Sequence, residues 1–316
     1  MLSESELTVL SYLSTAVDET LTQRELADEL DWDPGHTSRV VSGLAENGLL
    51  IREQRDGRYE ISLSNAEPTE RFGDLVREFP HVDFPDLLAG STIQLLYCLT
   101  GERTAAELTE WTGVSRATVY RRLKQLRNVG IITKHDTRFA LTSQFEGVAA
   151  FARSLVQHMH RQEARNYAVG VRLIWTDVGE YLFSCRTDVT GPRFHQTGPD
   201  ALDQYGISLL TREQQYYFRS EERPELTPGD LVCHLLLIDD GARYRSYCLL
   251  LIAVCEIDRD GLIQTAERYD REAEIDLSTI VQDLCTYLES NGGVSGEQLP
   301  EWDTFKSTAA EYDISV

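Results

Sequence analysis

Ser115-Arg-Ala-Thr-Val-Tyr120-Arg-Arg-Leu-Lys-Gln125-Leu-Arg-Asn-Val-Gly130-Ile-Ile132 is the stretch that decides how the rest of the chain is read. Val119, Leu123, Leu126 and Gly130 recur at helical spacing and make one apolar stripe. Ser115 is placed to cap the start of that helix, and Gly130 stands where a helix needs a left-handed end. Ala117, Thr118, Tyr120, Arg121, Lys124 and Gln125 point away from the stripe, with Arg116, Arg122 and Arg127 on its flanks. Between Ser115 and Arg138 the bases are Arg116, Arg121, Arg122, Lys124, Arg127, Lys134 and Arg138, and the one acid is Asp136.

The same arrangement occurs upstream. Thr22-Gln-Arg-Glu25-Leu26 aligns with Thr104-Ala-Ala-Glu107-Leu108 at an offset of 82 residues, and the offset persists through Leu44/Leu126, Gly48/Gly130, Leu49/Ile131 and Leu50/Ile132. Both T-x-x-E segments are capping boxes, in which the Thr hydroxyl and the Glu carboxylate satisfy free backbone donors reciprocally. Beyond the glycines the offset shrinks to 80, with Arg58-Tyr59-Glu60-Ile61 against Arg138-Phe139-Ala140-Leu141. Amphipathic helices precede each copy, over Glu4–Thr15 and Asp86–Leu99. In the first copy the turn is Asp31-Trp32-Asp33-Pro34, with Pro suited to the first helical position, and Asp56-Gly57 marks a hairpin. Each copy therefore reads as helix, capped helix, tight turn, helix, then two short strands.

Composition sets the background against which that basic helix stands. The chain has 316 residues, 52 acids, 30 bases and a net charge of -22. Such a balance ordinarily argues against a nucleic-acid partner. Only Lys124, Lys134 and Lys306 are lysines, however, and acid excess with scarce lysine resembles the salt-in pattern of haloarchaea. There acidity is a solubility device, so the informative feature is the place where the local charge reverses. No apolar run nears the ~20 residues of a membrane span, and Met1-Leu2-Ser3-Glu4 lacks the basic start and apolar core of a secretory signal. A cytoplasmic protein without a membrane partner is the expectation. The cysteines, Cys98, Cys185, Cys233, Cys248, Cys255 and Cys285, show no metal-ligand spacing, so neither metal nor cofactor is expected and the thiols read as small buried hydrophobes.

The segment from Ser115 resembles the recognition helix of a winged helix-turn-helix of the MarR/ArsR/TrmB kind, and Thr37-Ser-Arg-Val-Val-Ser-Gly-Leu-Ala-Glu-Asn-Gly-Leu-Leu resembles a second one. The resemblance covers about residues 4–64 and 86–142. It implies a sequence-specific transcriptional regulator that binds double-stranded DNA, with the second recognition helix in the major groove. On that footing Arg121 is the candidate for guanine contact. Ser115, Arg116, Thr118, Tyr120, Arg122, Lys124, Gln125, Arg127, Lys134 and Arg138 fill out the same face and its wing. The first copy offers Ser38, Arg39 and Ser42 from its helix, beside an outward His36 and a Glu46, and Arg52, Arg55 and Arg58 from its wing.

The fold class expected is α+β: two winged helix-turn-helix domains followed by a separate α+β C-terminal domain. The domains run 1–65 and 85–143, joined by a helical linker at 66–84. A connecting helix over 144–167 carries an apolar seam of Phe145, Val148, Ala152, Leu155 and Met159, which serves either packing within the chain or a homodimer. Residues 168–290 read as an effector or partner domain. A β-hairpin comes first, then a Gly- and Pro-rich loop through residue 206, one further strand and four helical segments. Residues 291–316 read as a loosely held acidic tail. No enzyme is expected: His195 and His234 stand far apart in sequence, and no nucleophile occupies a recognisable elbow. Domain order and the Pro228-to-Leu236 stretch loosely resemble the AbiEi antitoxins. That implies the alternative of an antitoxin that opposes a nucleotidyltransferase toxin and autoregulates its operon. A small-molecule effector is the other candidate ligand of residues 168–290.

Overall fold

Ser3 starts helix α1 (Glu4–Thr15): its hydroxyl accepts from the Glu6 amide at 3.3 Å while Glu6 Oε2 accepts from the Ser3 amide at 2.7 Å. Thr22, at the end of the short strand β1 (Leu21–Thr22), opens α2 (Gln23–Glu29) with the same box. Asp33 caps α3 (Pro34–Glu46), and strands β2 (Leu50–Arg55) and β3 (Arg58–Leu63) complete an antiparallel sheet in the order β1-β3-β2. The structure is a computed structural model that describes residues 1–16, 20–55, 58–209, 214–293, 296 and 298–316. The Asp56-Gly57 turn lies outside the described residues, as do the side chains of Arg55 and Arg58.

Helix α4 (Glu67–Glu78) occupies the expected linker and buries Phe72, Leu75 and Val76, so it is part of the core. The helix expected over Asp86–Leu99 is two helices, α5 (Phe84–Leu88) and α6 (Ser91–Cys98). Pro85 suits the start of α5, and Gly90 breaks the run with φ +64, a backbone state open to glycine at no steric cost. The amide of Gly90 donates to the Leu2 carbonyl at 2.9 Å, a partner that continued helix would have denied it. Strand β4 (Arg103–Thr104), α7 (Ala105–Thr112), α8 (Arg116–Val129), β5 (Ile132–His135) and β6 (Arg138–Leu141) then follow, with sheet order β4-β6-β5. Helix α9 (Glu146–Arg165) comes next. Its seam is filled by its own chain. Phe145, just ahead of it, lies 4.5 Å from Phe79, Phe151 lies 5.0 Å from Phe72, and Val148, Ala152 and Leu155 are buried. Of the two readings offered for that seam, these buried side chains favour packing within the chain. Met159 is half-buried.

The fold is α+β, and the chain divides into the units Met1–Gln162 and Glu163–Val316. In the second unit β7 (Arg172–Thr176), β8 (Tyr181–Cys185), β9 (Phe194–Thr197) and β10 (Gln215–Arg219) form an antiparallel sheet in the order β7-β8-β10-β9. Strand β9 falls where a loop was expected, hidden between Gly191-Pro192 and Gly198-Pro199. Helices α10 (Pro228–Ile238), α11 (Ala242–Cys255), α12 (Arg259–Asp270) and α13 (Leu277–Glu289) supply the core, with Leu231, Leu235, Leu249 and Leu284 fully covered. All six cysteines are free; Cys255 is half-buried and the others are buried.

The last segment departs from the expected loose tail. Residues Trp302–Glu311 form helix α14, and Phe305, Ala309 and Ile314 join the core of the second unit. Phe305 packs 5.8 Å from Tyr287, whose hydroxyl donates to the Pro300 carbonyl at 3.0 Å. The scattered acids suggested a tail; the apolar residues among them recur at helical spacing and decide the outcome. Phe305→Ala should therefore destabilise the second unit by about 3–5 kcal/mol. Chemical denaturation checks this, and an unchanged midpoint would mean that the segment contributes no packing.

Candidate nucleic-acid interface

Helix α8 is set by three local features. Gly113 ends α7 in the left-handed region at φ +65, Ser115 Oγ accepts from the Thr118 amide at 3.4 Å, and Gly130 ends the helix at φ +84. Val119, Leu123 and Leu126 are buried against the first unit. The opposite face is open: Ser115, Arg116, Tyr120, Arg121, Lys124 and Arg127 are exposed, while Thr118, Arg122 and Gln125 are half-buried. Lys134 and Arg138 are exposed on the hairpin that follows.

These groups differ in how far they are already engaged. The Arg116 guanidinium lies 5.6 Å over the Tyr120 ring, Arg122 Nη1 donates to Gln125 Oε1 at 3.2 Å, and the Lys134 ammonium lies 5.7 Å over Phe139. Among the described residues Arg121, Lys124 and Arg127 enter no ion pair. Arg138 is less free than the sequence suggests. It donates to the Glu102 carbonyl at 3.2 Å and lies 4.0 Å from Glu107, an acid that the T-x-x-E box brings alongside. The Thr104 amide and hydroxyl, then Arg138 and Arg103, hold the Glu107 carboxyl below the usual carboxylate range. Arg103 was missed in the sequence. It stacks 4.8 Å over Trp111 and donates to the same Glu102 carbonyl at 3.0 Å, so it stands beside Arg138 at the base of the hairpin. Its proximity follows from the pairing of Thr104 with Arg138, which sequence spacing does not announce.

The first copy is less open. Arg39 is exposed, with Nε donating to the Gly35 carbonyl at 3.2 Å, and Ser38 and Ser42 are half-buried. His36 is not free: it bonds Ser5 Oγ at 3.2 Å and sits edge-on to Trp32 at 4.8 Å. Arg52 is exposed and lies 4.2 Å over the Tyr59 ring.

In the second unit the two histidines, far apart in sequence, are linked through one phenylalanine of the sheet. His195 pairs with Phe218 across β9 and β10, and Phe218 stacks 4.5 Å from His234. His234 is fully buried; Nδ1 lies 2.8 Å from Thr197 Oγ1 and Nε2 lies 2.8 Å from the Tyr269 hydroxyl. That hydroxyl donates to Asp230 at 2.9 Å, and Arg223 ion-pairs with both Asp230 and Glu180. Burial penalises the Asp230 carboxylate, but Arg223 and then Thr227 outweigh it and hold its pKa at about 2. Burial pushes the His234 pKa down to about 3. Among the described residues no His, Cys, Asp and Glu group is fit to hold a metal, and no helix is long and apolar enough to cross a membrane.

Residues 93–134, from α6 through α8 into β5, match the family model of the bacterial regulatory protein, arsR family, a helix-turn-helix. Residues 191–314 match a C-terminal family model named HVO_2833_C. No curated protein matches the chain. The class that fold and match support is a DNA-binding transcriptional regulator, with the helix-turn-helix in α7 and α8. The match to residues 191–314 extends over β9 and α14, the two elements least evident from composition.

The His234 environment has a consequence for stability. The ring is neutral when folded, so as pH falls below 6.5 the unfolded chain takes up the proton first. Stability should drop between pH 6.5 and about 3 at up to ~1.4 kcal/mol per pH unit from this residue. Denaturation of wild type and His234→Gln across pH 7 to 4 isolates it. The wild type should lose stability relative to the variant as pH falls, and parallel curves would show that the ring is not held neutral.

Proposed function

We propose that the chain is a sequence-specific DNA-binding transcriptional regulator of a salt-rich cytoplasm, built on two winged helix-turn-helix copies. Helix α8 enters the major groove, with Arg121 reading a guanine and Lys124, Gln125 and Thr118 beside it. Arg116, Arg122, Arg127, Lys134 and Arg138 take phosphates. The first copy contributes Ser38, Arg39, Ser42 and the wing residues Arg52, Arg55 and Arg58. Residues 168–290, continued by α14, serve as the effector or partner domain. One observation carries the reading: in a chain of net charge -22, helix α8 holds five bases and no acid, all of the bases outside its buried stripe.

Arg121→Ala should leave the fold intact, cost about 1–3 kcal/mol of specific binding and relax preference at one base position. Arg127→Ala, on the flank, should weaken all sequences alike. Competition binding with single-base operator variants separates the two. Arg121→Ala binding as tightly as wild type would remove α8 from the groove.

Salt dependence gives a second test. Binding driven by counterion release falls with a log–log slope near -0.9 for each phosphate neutralised. Acidic surface near the interface takes up cations as DNA binds, which flattens that slope. Titration with KCl into the molar range should show a shallow dependence, and a steep negative slope throughout would count against a salt-adapted interface.

A further inference from the structure

The two copies are joined within the first unit by more than the chain that connects them. Helix α5 packs against both α1 of the first copy and α8 of the second, and its Phe84 and Leu88 are fully buried. The Gly90 amide, at the entrance to the second copy, donates to the Leu2 carbonyl at 2.9 Å. Arg77 of α4 donates to the Ser14 carbonyl at the end of α1 at 3.2 Å. Helix α9, which follows the second wing, returns to the first copy: His158 Nε2 lies 2.7 Å from the carbonyl of Asn47, the residue that ends α3. Phe72 and Phe79 fix α4 between these parts through Phe151 and Phe145. Elements tied at so many points, several of them buried aromatic and aliphatic contacts, move as one body, so α3 and α8 keep a fixed relation.

The copies are also unequal. Residues 1–65 carry thirteen acids and five bases, whereas residues 85–143 carry five acids and eight bases. The seam through Val148, Ala152 and Leu155 is filled from within. The large apolar side chains left exposed among the described residues of this unit are Met1, Ile51, Tyr59, Tyr120 and Val129. Ile51 and Tyr59 lie on the first wing and Tyr120 and Val129 on α8, the surfaces that the proposed function turns toward DNA.

We propose that a single chain occupies its duplex site. The site is asymmetric, with a strong half read by α8 and a weaker half, at fixed helical phase, contacted by α3 and the Arg52 wing. The proposal rests on the DNA-binding reading above. A winged-helix dimer places two identical heads on a palindrome, whereas here one rigid body carries two different heads on one chain.

The test uses the full-length protein and a site selected from random duplexes. Stoichiometry by mass of the complex, hydroxyl-radical footprinting and competition binding are then read together. One chain per duplex is expected, with a footprint that has no dyad. Inserting 5 base pairs between the halves should weaken binding about tenfold, and inserting 10 should restore part of it, since the helical repeat is about 10–10.5 base pairs. Arg39→Ala with Arg52→Ala, both at exposed positions, should erase protection in the weak half only. Two chains on a palindromic footprint would overturn the proposal, and so would a single-chain complex whose affinity ignores the insertions. Recovery of no preferred duplex would instead overturn the DNA-binding reading itself.

Discussion

Everything about the candidate interface depends on one constraint: α8 has a single apolar stripe, and burying it leaves its bases one direction in which to point. Val119, Leu123 and Leu126 are covered almost completely. Each such burial contributes roughly 1.5–3 kcal/mol. Against this stands repulsion between neighbours such as Arg121 and Lys124, or Lys124 and Arg127, which on a helix costs only about 0.2–0.5 kcal/mol a pair. The core term wins by a wide margin, so the charged face forms whether or not a ligand is there. The flanking bases are partly relieved by Tyr120 under Arg116 and Gln125 beside Arg122, while Arg121, Lys124 and Arg127 have no ion pair among the described residues.

The second unit places its charges the other way. Glu180, Arg223 and Asp230 lie inside, between the sheet and the helices α10 and α12, and buried charge is tolerable only when every group is met. The protons can be assigned along the chain of contacts. Tyr269 has one proton and gives it to Asp230, so its lone pairs receive Arg223 and the His234 Nε2–H. His234 Nδ1 is then an acceptor, and the Thr197 hydroxyl donates to it. Ser220 and Arg268 close the far end on Glu180. Deleting any one member strands a neighbour, at a cost of about 1–3 kcal/mol for each orphaned group. The network therefore fixes which residues of β9 and β10 face α10 and α12, a specificity that leucines alone would not supply.

The sequence was most legible where local chemistry acts alone. The capping boxes at Thr22 and Thr104, Pro34 in the first turn of its helix, the N-cap Ser115, and the left-handed Gly48 and Gly130 each follow from a few adjacent residues, and the structure holds them all. It was least legible where distant segments decide. The break at Gly90 is stabilised by a carbonyl from Leu2, and an apolar periodicity that crosses the break concealed it. Strand β9 exists because β10 pairs with it, though its own residues read as loop between Gly-Pro signals. Arg103 and Glu107 join Arg138 only because β4 pairs with β6. The α9 seam was recognisable as a seam; which surface it meets was not, since periodicity states that a face is covered without naming the cover.

The distribution of acids gives the interface its contrast. Several carboxylates are held at helix starts, where the box geometry directs Glu6, Glu25, Glu107 and Asp230 onto backbone donors. Many of the rest lie on exposed faces and oppose the approach of DNA through their summed field. That field is screened over about 10 Å at 0.1 M salt and about 3 Å at 1 M. A hydrogen bond from a guanidinium to a base edge acts at about 3 Å and is far less sensitive to the same ions. Raising salt therefore removes most of the long-range repulsion while leaving contact-range recognition in place. On the proposed reading, an acid-free helix face in an acidic chain keeps its discrimination at salt concentrations that weaken a uniformly basic protein, and the face has to be free of acid only within contact distance. Among the described residues Arg121, Lys124 and Arg127 enter no ion pair, whereas a phosphate at Arg138 would share that side chain with Glu107, 4.0 Å away.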